Sequence, residues 1–281
     1  MNIFNKIREK LSNTGSQASS VFNTSDGWVC PPSKNKLVFS DNFYIIDRDR
    51  WRIPINDFHT SYLYDYYGGE EYVKVVDNEL RLLLRHNPRT YIKSELPSWK
   101  NTNHLPEEFT IPYCVGRIIT KKSWKYGWFE AEVMLPEGMN LWPAFWLSGE
   151  NSWPPEIDIF EGYSDFTPRY GKKNLGDFWK IGPNLHYGNV EDGTKEMYGS
   201  YGVKVRDCTT KFVQYVCHWT PSFIRIYYNG MQVFETRDPN VLQWFNKKDA
   251  YMNVIFNHAS LGESGEPTES TMRVRNFRIY Q

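Results

Sequence analysis

From Leu37 to the C-terminus, the sequence alternates between short runs of aromatic and β-branched residues and short segments rich in Gly, Pro and Asn. The first kind of segment favours β-strands, and the second favours turns. The clearest turn is Asn229-Gly230, because both residues tolerate the positive φ of a type I′ hairpin. Many strands with few helices predict an all-β sandwich. The predicted strands include Val73–Val76, Glu79–Arg85, Phe129–Leu135, Lys211–Trp219, Phe223–Tyr228 and Met272–Tyr280.

The composition bears on the class of partner. The 33 Lys and Arg residues balance the 33 Asp and Glu residues, so no net charge attracts nucleic acid or an anionic membrane. No apolar run reaches transmembrane length. Aromatic residues make up 17% of the chain, and such side chains suit sugar binding because pyranose rings have apolar faces that stack on them. We therefore expect an uncharged or patchily charged saccharide ligand, no nucleic-acid or membrane partner, and a monomer.

The first 25 residues differ in character from the rest. Asn2–Leu11 has apolar residues at helical spacing and predicts a short amphipathic helix, and Ser12–Ser25 has the composition of a polar linker. Residues 26–281 are predicted to form one domain. The N-terminal segment lacks the apolar stretch of a secretory signal. Unless a signal was removed, we expect a cytoplasmic protein or one released by cell lysis, as a phage-borne protein would be.

The cysteines do not form a metal or redox motif. Cys30, Cys114, Cys208 and Cys217 have no Cys-x-x-Cys spacing, which argues against a zinc or thiol-redox site. Reduced thiols are expected in the absence of a secretory signal, and one or two disulfides are the alternative. We expect no cofactor.

Three carboxylates lie within six residues in the segment Trp153–Glu161, which is otherwise apolar. Like charges this close push their pKa values apart, so that one group keeps a proton while a neighbour ionises. In a regular strand Glu156 and Asp158 would share one face, and Glu161 would point to the other. A β-bulge around Ile159-Phe160 would bring all three to one face. This predicts an acid and a nucleophile on one bulged strand, with a solvated strand edge as the alternative.

The pattern Glu-x-Asp-x-x-Glu at Glu156–Glu161 resembles glycoside hydrolase family 16, and most of all its laminarinase-like (endo-β-1,3-glucanase-like) branch. The resemblance covers about Leu37–Gln281. It implies a concanavalin A-like β-jelly roll of two curved antiparallel sheets, with the substrate cleft across the concave face. The further motifs that carry it are Tyr126–Glu132, Leu141–Leu147, Leu185–Gly188, His218–Pro221 and Val274–Gln281.

Two carboxyl groups about 5–5.5 Å apart cleave a glycosidic bond with retention of configuration. Three carboxylates on one bulged strand leave little room for an intervening water, which favours retention. The resemblance implies the same double displacement, with Glu156 as nucleophile, Glu161 as acid and base, and Asp158 as the neighbour that orients Glu156. The rival pair, Glu130 and Glu132, alternates along another strand and is expected on an ordinary solvent-exposed polar face.

The resemblance also implies substrate-binding positions, which are Trp142, Trp146, Trp153, Arg117 and His186. Alternation along a strand places Trp142 and Trp146 on one face, where they would form a sugar-stacking wall with Trp153. Core packing is the alternative for the tryptophans, a surface ion pair for Arg117, and a structural role for His186.

One departure from the family concerns a metal. Laminarinases of this type usually carry an aspartate in the last strand that helps to hold calcium, and the aligned position here is Arg275. Calcium needs oxygen ligands, and a guanidinium repels it, so we expect no metal site.

The expected function is retaining endo-hydrolysis of a β-1,3-glucan or a mixed-linkage β-glucan. The alternatives are an endo-hydrolase of a β-galactan of the agar, porphyran or carrageenan type, a transglycosylase with the same covalent intermediate, and a non-catalytic lectin. Degenerate binding modules typically lose one of the acids, and this chain keeps all three.

Overall fold

The computed structural model describes residues 21–22, 28–61, 63–164, 180–199, 202–261, 267 and 269–281. The predicted N-terminal helix and most of the predicted linker lie outside these residues, so the boundary near residue 25 stays a prediction. No helix in the described part is long and apolar enough to cross a membrane.

Strands form most of the described chain. They are β1 (Val21–Phe22), β2 (Leu37–Asp41), β3 (Trp51–Arg52), β4 (Ile55–Phe58), β5 (Asp65–Gly68), β6 (Val73–Val76), β7 (Glu79–Ile92), β8 (Glu108–Val115), β9 (Arg117–Trp124), β10 (Gly127–Met134), β11 (Leu141–Gly149), β12 (Glu156–Tyr163), β13 (Lys180–Tyr187), β14 (Glu196–Gly199), β15 (Lys204–Val205), β16 (Val213–Thr220), β17 (Phe223–Tyr228), β18 (Met231–Thr236), β19 (Met252–Ser260) and β20 (Ser270–Tyr280). Helix α1 spans Pro239–Phe245, and short 3₁₀ turns span Gly69–Glu71 and Lys93–Glu95.

The strands form two large sheets. The seven-stranded sheet has the order β14-β13-β12-β11-β19-β9-β3. The eleven-stranded sheet has the order β18-β17-β16-β10-β20-β7-β8-β5-β4, with β2 paired to β20 and β6 paired to β7. Both are antiparallel except for the pair β5 and β8, and the short strands β1 and β15 form a separate parallel pair. The predicted all-β sandwich is confirmed.

Apolar side chains from both sheets form the core. On β11, Phe145 and Leu147 are fully buried, whereas Trp142 and Trp146 are half-buried on the other face of the strand. Phe145 stacks on Phe256 of the neighbouring β19, with ring centroids 4.5 Å apart. Burying such a side chain stabilises the fold by about 1.5–3 kcal/mol. The opposite face of the seven-stranded sheet is therefore the one available to a ligand.

The predicted hairpin turn and the predicted free thiols are present. Asn229 and Gly230 have φ values of 42° and 80°, and the flanking residues Tyr228 and Met231 pair across the turn. This is the expected type I′ hairpin. All four cysteines are free thiols.

The expectation that Glu130 and Glu132 lie on a solvent-exposed face was wrong. Both are buried, at 6% and 2% exposure. Arg275 Nε lies 2.8 Å from a Glu132 oxygen, and Arg278 Nη1 lies 3.6 Å from a Glu130 oxygen. Both arginines come from β20, which pairs with β10, and long arginine stems cover neighbouring carboxylates. The two acids belong to ion pairs of the eleven-stranded sheet, whereas the acidic run of β12 lies in the other sheet.

Candidate active site

The acidic run forms β12, and a bulge interrupts it at Ile159. Asp158 and Phe160 pair with consecutive residues of β11, so Ile159 has no partner on that strand. The register against β13 shifts over the same interval. Because side chains alternate along a strand, the extra residue brings Glu161 to the face that carries Glu156 and Asp158. The predicted bulge is present at the predicted place.

Burial separates the two faces of this strand. Ile157, Ile159 and Phe160 are fully buried in the core. Asp158 and Glu161 are only 3% and 7% exposed, and alternation around the bulge places them on the face opposite Ile157 and Phe160. The sequence therefore folds into a strand that presents three carboxyl groups together in a nearly dry setting.

Glu156 contacts two groups that favour its ionised form, whereas burial and the neighbouring acids favour the protonated one. Trp153 Nε1 donates a hydrogen bond of 2.7 Å to one carboxylate oxygen, and His186 Nε2 lies 3.2 Å from the other. Burial raises the pKa of Glu156 to about 8, and the charge of Asp158 adds to this effect. His186 and the hydrogen bond from Trp153 act in the opposite direction. The balance between burial and these partners sets the ionisation of Glu156.

Asp158 and Glu161 share a side-chain hydrogen bond. Two carboxyl groups can do so only when one of them holds a proton. Burial, and next the charge of Glu161, raises the pKa of Asp158 well above its ordinary value, while Lys195 lowers it. Trp142 Nε1 donates a hydrogen bond of 3.0 Å to Glu161. The carboxyl groups therefore titrate as a coupled set that shares a proton.

His186 lies between the acidic residues and a buried amide. Its Nε2 is 3.5 Å from Asp158 Oδ2 and 2.8 Å from Asn184 Nδ2. Three buried atoms here, His186 Nδ1, Asn184 Oδ1 and Asp158 Oδ2, have no hydrogen-bond partner among the described residues. Buried polar atoms are normally hydrogen-bonded, so this cluster is suited to a ligand with polar groups.

Donor atoms of Glu156, Asp158 and His186 lie within 4.8 Å of one another, which is close enough for a metal ion. Metal ligands must be deprotonated, however, and the raised pKa values of both carboxyl groups oppose this. The donor set therefore fits a resident metal poorly, and the absence of a metal cofactor stays a prediction.

Trp142, Trp146 and Arg117 extend the site across three further strands. Trp146 Nε1 donates a hydrogen bond of 2.6 Å to Asn257 Oδ1 on β19. The Arg117 guanidinium on β9 lies 5.0 Å from the ring centroids of both Trp146 and Tyr67, and it donates to the Tyr67 hydroxyl at 2.6 Å. Both tryptophans are half-buried on the carboxylate face, which favours ligand contact over core packing. Among the described residues, Arg117 therefore contacts aromatic side chains and does not form the surface ion pair that was the alternative.

Trp153 and Lys195 complete the surroundings of Glu156. Trp153 is 45% exposed, and Lys195 Nζ lies 4.6 Å from its ring centroid. The sequence reasoning missed Lys195, because a single lysine outside any motif gives no signal. It also missed Asn184, which alternation with His186 places on the same face of β13 and which this spacing could have revealed.

The chain is similar in sequence to known proteins. A sequence model of glycosyl hydrolases family 16 matches residues 63–270. The chain is 30% identical over 152 residues to a glucan endo-1,3-beta-glucosidase of Cryptopygus antarcticus, covering 52% of this chain and 49% of that protein. It is 28% identical over 173 residues to the endo-1,3-1,4-beta-glycanase EglC of Rhizobium meliloti, covering 59% and 32%. It is 26% identical over 187 residues to the clotting factor G alpha subunit of Tachypleus tridentatus, covering 60% and 25%. The chain thus spans between a quarter and a half of these relatives.

Solved structures share the fold. The non-specific endo-beta-1,3(4)-glucanase SCLam has a TM-score of 0.68 at 24% identity, with 90% of this chain and 93% of that chain covered. LamAcat of Zobellia galactanivorans has a TM-score of 0.66 at 22% identity, with 87% and 97% covered. The expected jelly-roll sandwich is confirmed. Because the family model matches most of the sequence, the chain belongs to glycoside hydrolase family 16.

Proposed function

We propose that this protein is a retaining endo-glycoside hydrolase that cleaves internal linkages of a β-1,3-glucan or a mixed-linkage β-glucan. The observation that carries the proposal is the bulge at Ile159, which places Glu161 on the same face as Glu156 and Asp158. A retaining glycosidase needs a nucleophile and a separate proton donor beside one bond. A single irregular strand supplies both here.

The surroundings of the carboxyl groups support the division of roles. Glu156 receives the Trp153 N–H and faces His186, and both contacts oppose the effect of burial and favour the ionised form that a nucleophile needs. Glu161 shares a hydrogen bond with Asp158, and the raised pKa of Asp158 keeps a proton within this pair. The proton-sharing pair thus supplies the acid, and Glu156, whose two partners favour its ionised form, supplies the nucleophile once it has lost its own proton.

The reaction then proceeds in two steps. Glu156 attacks the anomeric carbon, while Glu161 gives its proton to the departing glycosidic oxygen, and a glycosyl ester of Glu156 forms. Ionised Glu161 next removes a proton from water, whose oxygen attacks the same carbon and releases Glu156. Asp158, through its hydrogen bond to Glu161, holds that carboxyl group in place and shares the proton between turnovers.

The aromatic row supports cleavage inside a chain. Strands β12, β11, β19 and β9 are consecutive in the sheet, so three strand spacings, or about 14 Å, separate Glu161 from Arg117. Trp142 and Trp146 flank this path on β11, and their side chains are half-buried. A surface of this length accommodates several consecutive sugars. The names of two relatives, an endo-1,3-beta-glucosidase and an endo-1,3-1,4-beta-glycanase, favour a β-glucan.

The test is digestion of laminarin, mixed-linkage glucan, agarose, porphyran and carrageenan, with reducing-end measurement and product sizing. We expect oligosaccharides first from laminarin or mixed-linkage glucan, and no products from the Glu156→Gln control. Cleavage of the galactans alone would show that the substrate is a β-galactan and not a β-glucan. Products longer than the substrate would indicate a transglycosylase. Binding without reducing-end release would indicate a lectin.

We also expect a monomer in light scattering and no retention on nucleic acid, given the zero net charge.

A further inference from the structure

Lys195 lies in the β13–β14 hairpin, and its charge interacts with Glu156 and Asp158. It lies one residue before β14, whose Met197 pairs with His186 of β13. Its side chain is partly buried beside the carboxyl groups. In the described part of the chain, no carboxylate forms a direct ion pair with it.

The ammonium group of Lys195 packs on the ring of Trp153. Its Nζ is 4.6 Å from the ring centroid, within the range of a cation–π interaction. The edge of the same indole donates its N–H to Glu156 at 2.7 Å. Lys195 thus contacts the aromatic group that orients Glu156. One face of Trp153 is covered by a cation, which disfavours that face as a platform for a sugar.

The charge of Lys195 also acts on the site through space. It interacts favourably with both Glu156 and Asp158, and it lowers the pKa of Asp158. Burial lowers the pKa of Lys195 itself. The ionisable groups that surround Glu156 are Asp158 and Glu161 on its own strand, His186 on β13 and Lys195 beyond it, while Tyr228 interacts with Asp158 and Glu161 from the other sheet.

The loop before Lys195 has a defined conformation. Gly188 has a φ of 91°, and a Cβ atom there would lie 2.2 Å from the Thr194 carbonyl oxygen. The Asp192 carboxylate accepts the Thr194 backbone N–H at 2.9 Å. Because glycine tolerates this backbone and the close approach, the hairpin can close tightly and direct Lys195 to the site.

We propose that Lys195 is a positioning residue for the proposed reaction, which holds Trp153 against Glu156 and supplies positive charge that favours the ionised form of Glu156. Trp153 then acts through Glu156 rather than as part of the sugar-stacking wall. This inference rests on the proposed function. It adds to that function a cation that touches neither the substrate nor the reacting atoms.

The test compares Lys195→Met, which removes the charge but keeps a long side chain, with Lys195→Arg, which keeps the charge. Lys247→Met is the matched control, because Lys247 Nζ lies 3.8 Å from the ring of a different tryptophan, Trp244, whereas Trp153 is the one that donates to Glu156. We expect Lys195→Met to lower kcat about tenfold or more with little change in KM. The acid limb of the pH profile should move up by about one pH unit, since an absent cation raises a carboxyl pKa. Lys195→Arg and Lys247→Met should stay near wild type.

Three results would overturn the proposal. One is a Lys195→Met variant with the wild-type kcat and pH profile, and another is a rise in KM alone, which would make Lys195 a substrate contact. The third is an equal loss in Lys195→Arg. A carbon-13 NMR titration of the carboxyl groups in wild type and Lys195→Met provides a readout without substrate. If wild type cleaves no polysaccharide, the proposed function fails. If the titration of Glu156 is the same in wild type and in Lys195→Met, the role of Lys195 is wrong, whatever the result on polysaccharides.

Discussion

The hydroxyl group of Tyr228 donates a hydrogen bond of 2.8 Å to the backbone carbonyl of Ile159, the residue that forms the bulge in β12. Both residues are fully buried, and Tyr228 belongs to β17 of the opposite sheet. A bulge leaves backbone groups outside the regular ladder, and a buried carbonyl without a partner is costly. The core of the sandwich therefore satisfies the irregular backbone that brings Glu161 to the carboxylate face.

Replacing Tyr228 with Phe tests this support. We expect the free energy of unfolding to fall by about 1–3 kcal/mol, because the Ile159 carbonyl loses its buried donor. We also expect kcat to fall, because the orientation of Glu161 depends on the bulge. Denaturant unfolding and initial-rate kinetics measure the two effects.

Tyr215→Phe is the matched control for this change. The Tyr215 ring lies 4.9 Å from that of Tyr228, and its buried hydroxyl has no hydrogen-bond partner among the described residues. Its loss should be neutral or slightly stabilising. Equal effects of the two substitutions would show that the contact with Ile159 does not support the site.

The bulge itself was predictable from the sequence, because three carboxylates at offsets of two and five residues can share a face only if a strand gains one residue. Tyr228 was not predictable, since it lies 69 residues from Ile159 and in the other sheet. Strand alternation likewise predicted the shared face of Trp142 and Trp146. The same rule failed for Glu130 and Glu132, because alternation identifies a face but not what covers it.

The carboxyl groups should differ in their sensitivity to substitution. Glu156→Gln and Glu161→Gln should each abolish hydrolysis with the fold intact, because each removes one role in a shared mechanism. Asp158→Asn should be milder, since an amide still donates a hydrogen bond to Glu161. Turnover of the polymer and circular dichroism spectra check this. An Asp158→Asn variant as inactive as the two others would give Asp158 a direct part in bond cleavage.

Removing Glu156 should stabilise the protein at higher pH. Its pKa is raised in the folded state from 4.5 to about 8, so ionising it costs more in the folded than in the unfolded chain. This group therefore makes the wild type less stable as pH rises from 4.5 to about 8. We expect Glu156→Gln to match the wild-type Tm near pH 4 and to exceed it by a margin that grows up to pH 8. A constant difference across this range would contradict the raised pKa.

Trp142 is expected to stack on a sugar ring and to donate a hydrogen bond to Glu161. Trp142→Ala should lower kcat/KM on polymer by roughly one to two powers of ten, taking about 1–3 kcal/mol for a lost stack by analogy with base stacking. Trp142→Phe keeps a ring but removes the N–H that Glu161 accepts. That hydrogen bond favours the ionised form, so its loss should raise the pKa of Glu161 and move the basic limb of the pH profile upwards. A Trp142→Ala variant that merely unfolds would assign this residue to the core.

Calcium should not stabilise the protein by binding at Arg275 in the last strand. Arg275 pairs with Glu132 at 2.8 Å, and its guanidinium lies 3.9 Å from the Phe212 ring centroid. A cation would have to displace the arginine from a buried carboxylate. A ligand that binds only the native state must stabilise it, so a chelator should leave Tm unchanged and added calcium should not raise it. A calcium-dependent rise in Tm would refute this expectation.

Azide rescue tests the central claim, that Glu156 is the nucleophile and Glu161 the acid and base of a retaining reaction. The substrate is an aryl β-glycoside whose leaving group departs without acid assistance. In Glu161→Ala the glycosyl ester of Glu156 still forms and azide attacks it, so the account predicts a β-glycosyl azide. In Glu156→Ala azide takes the place of the missing carboxylate and gives an α-glycosyl azide. The opposite pairing of products would show that the roles are exchanged, and α-azide from both variants would contradict the covalent intermediate.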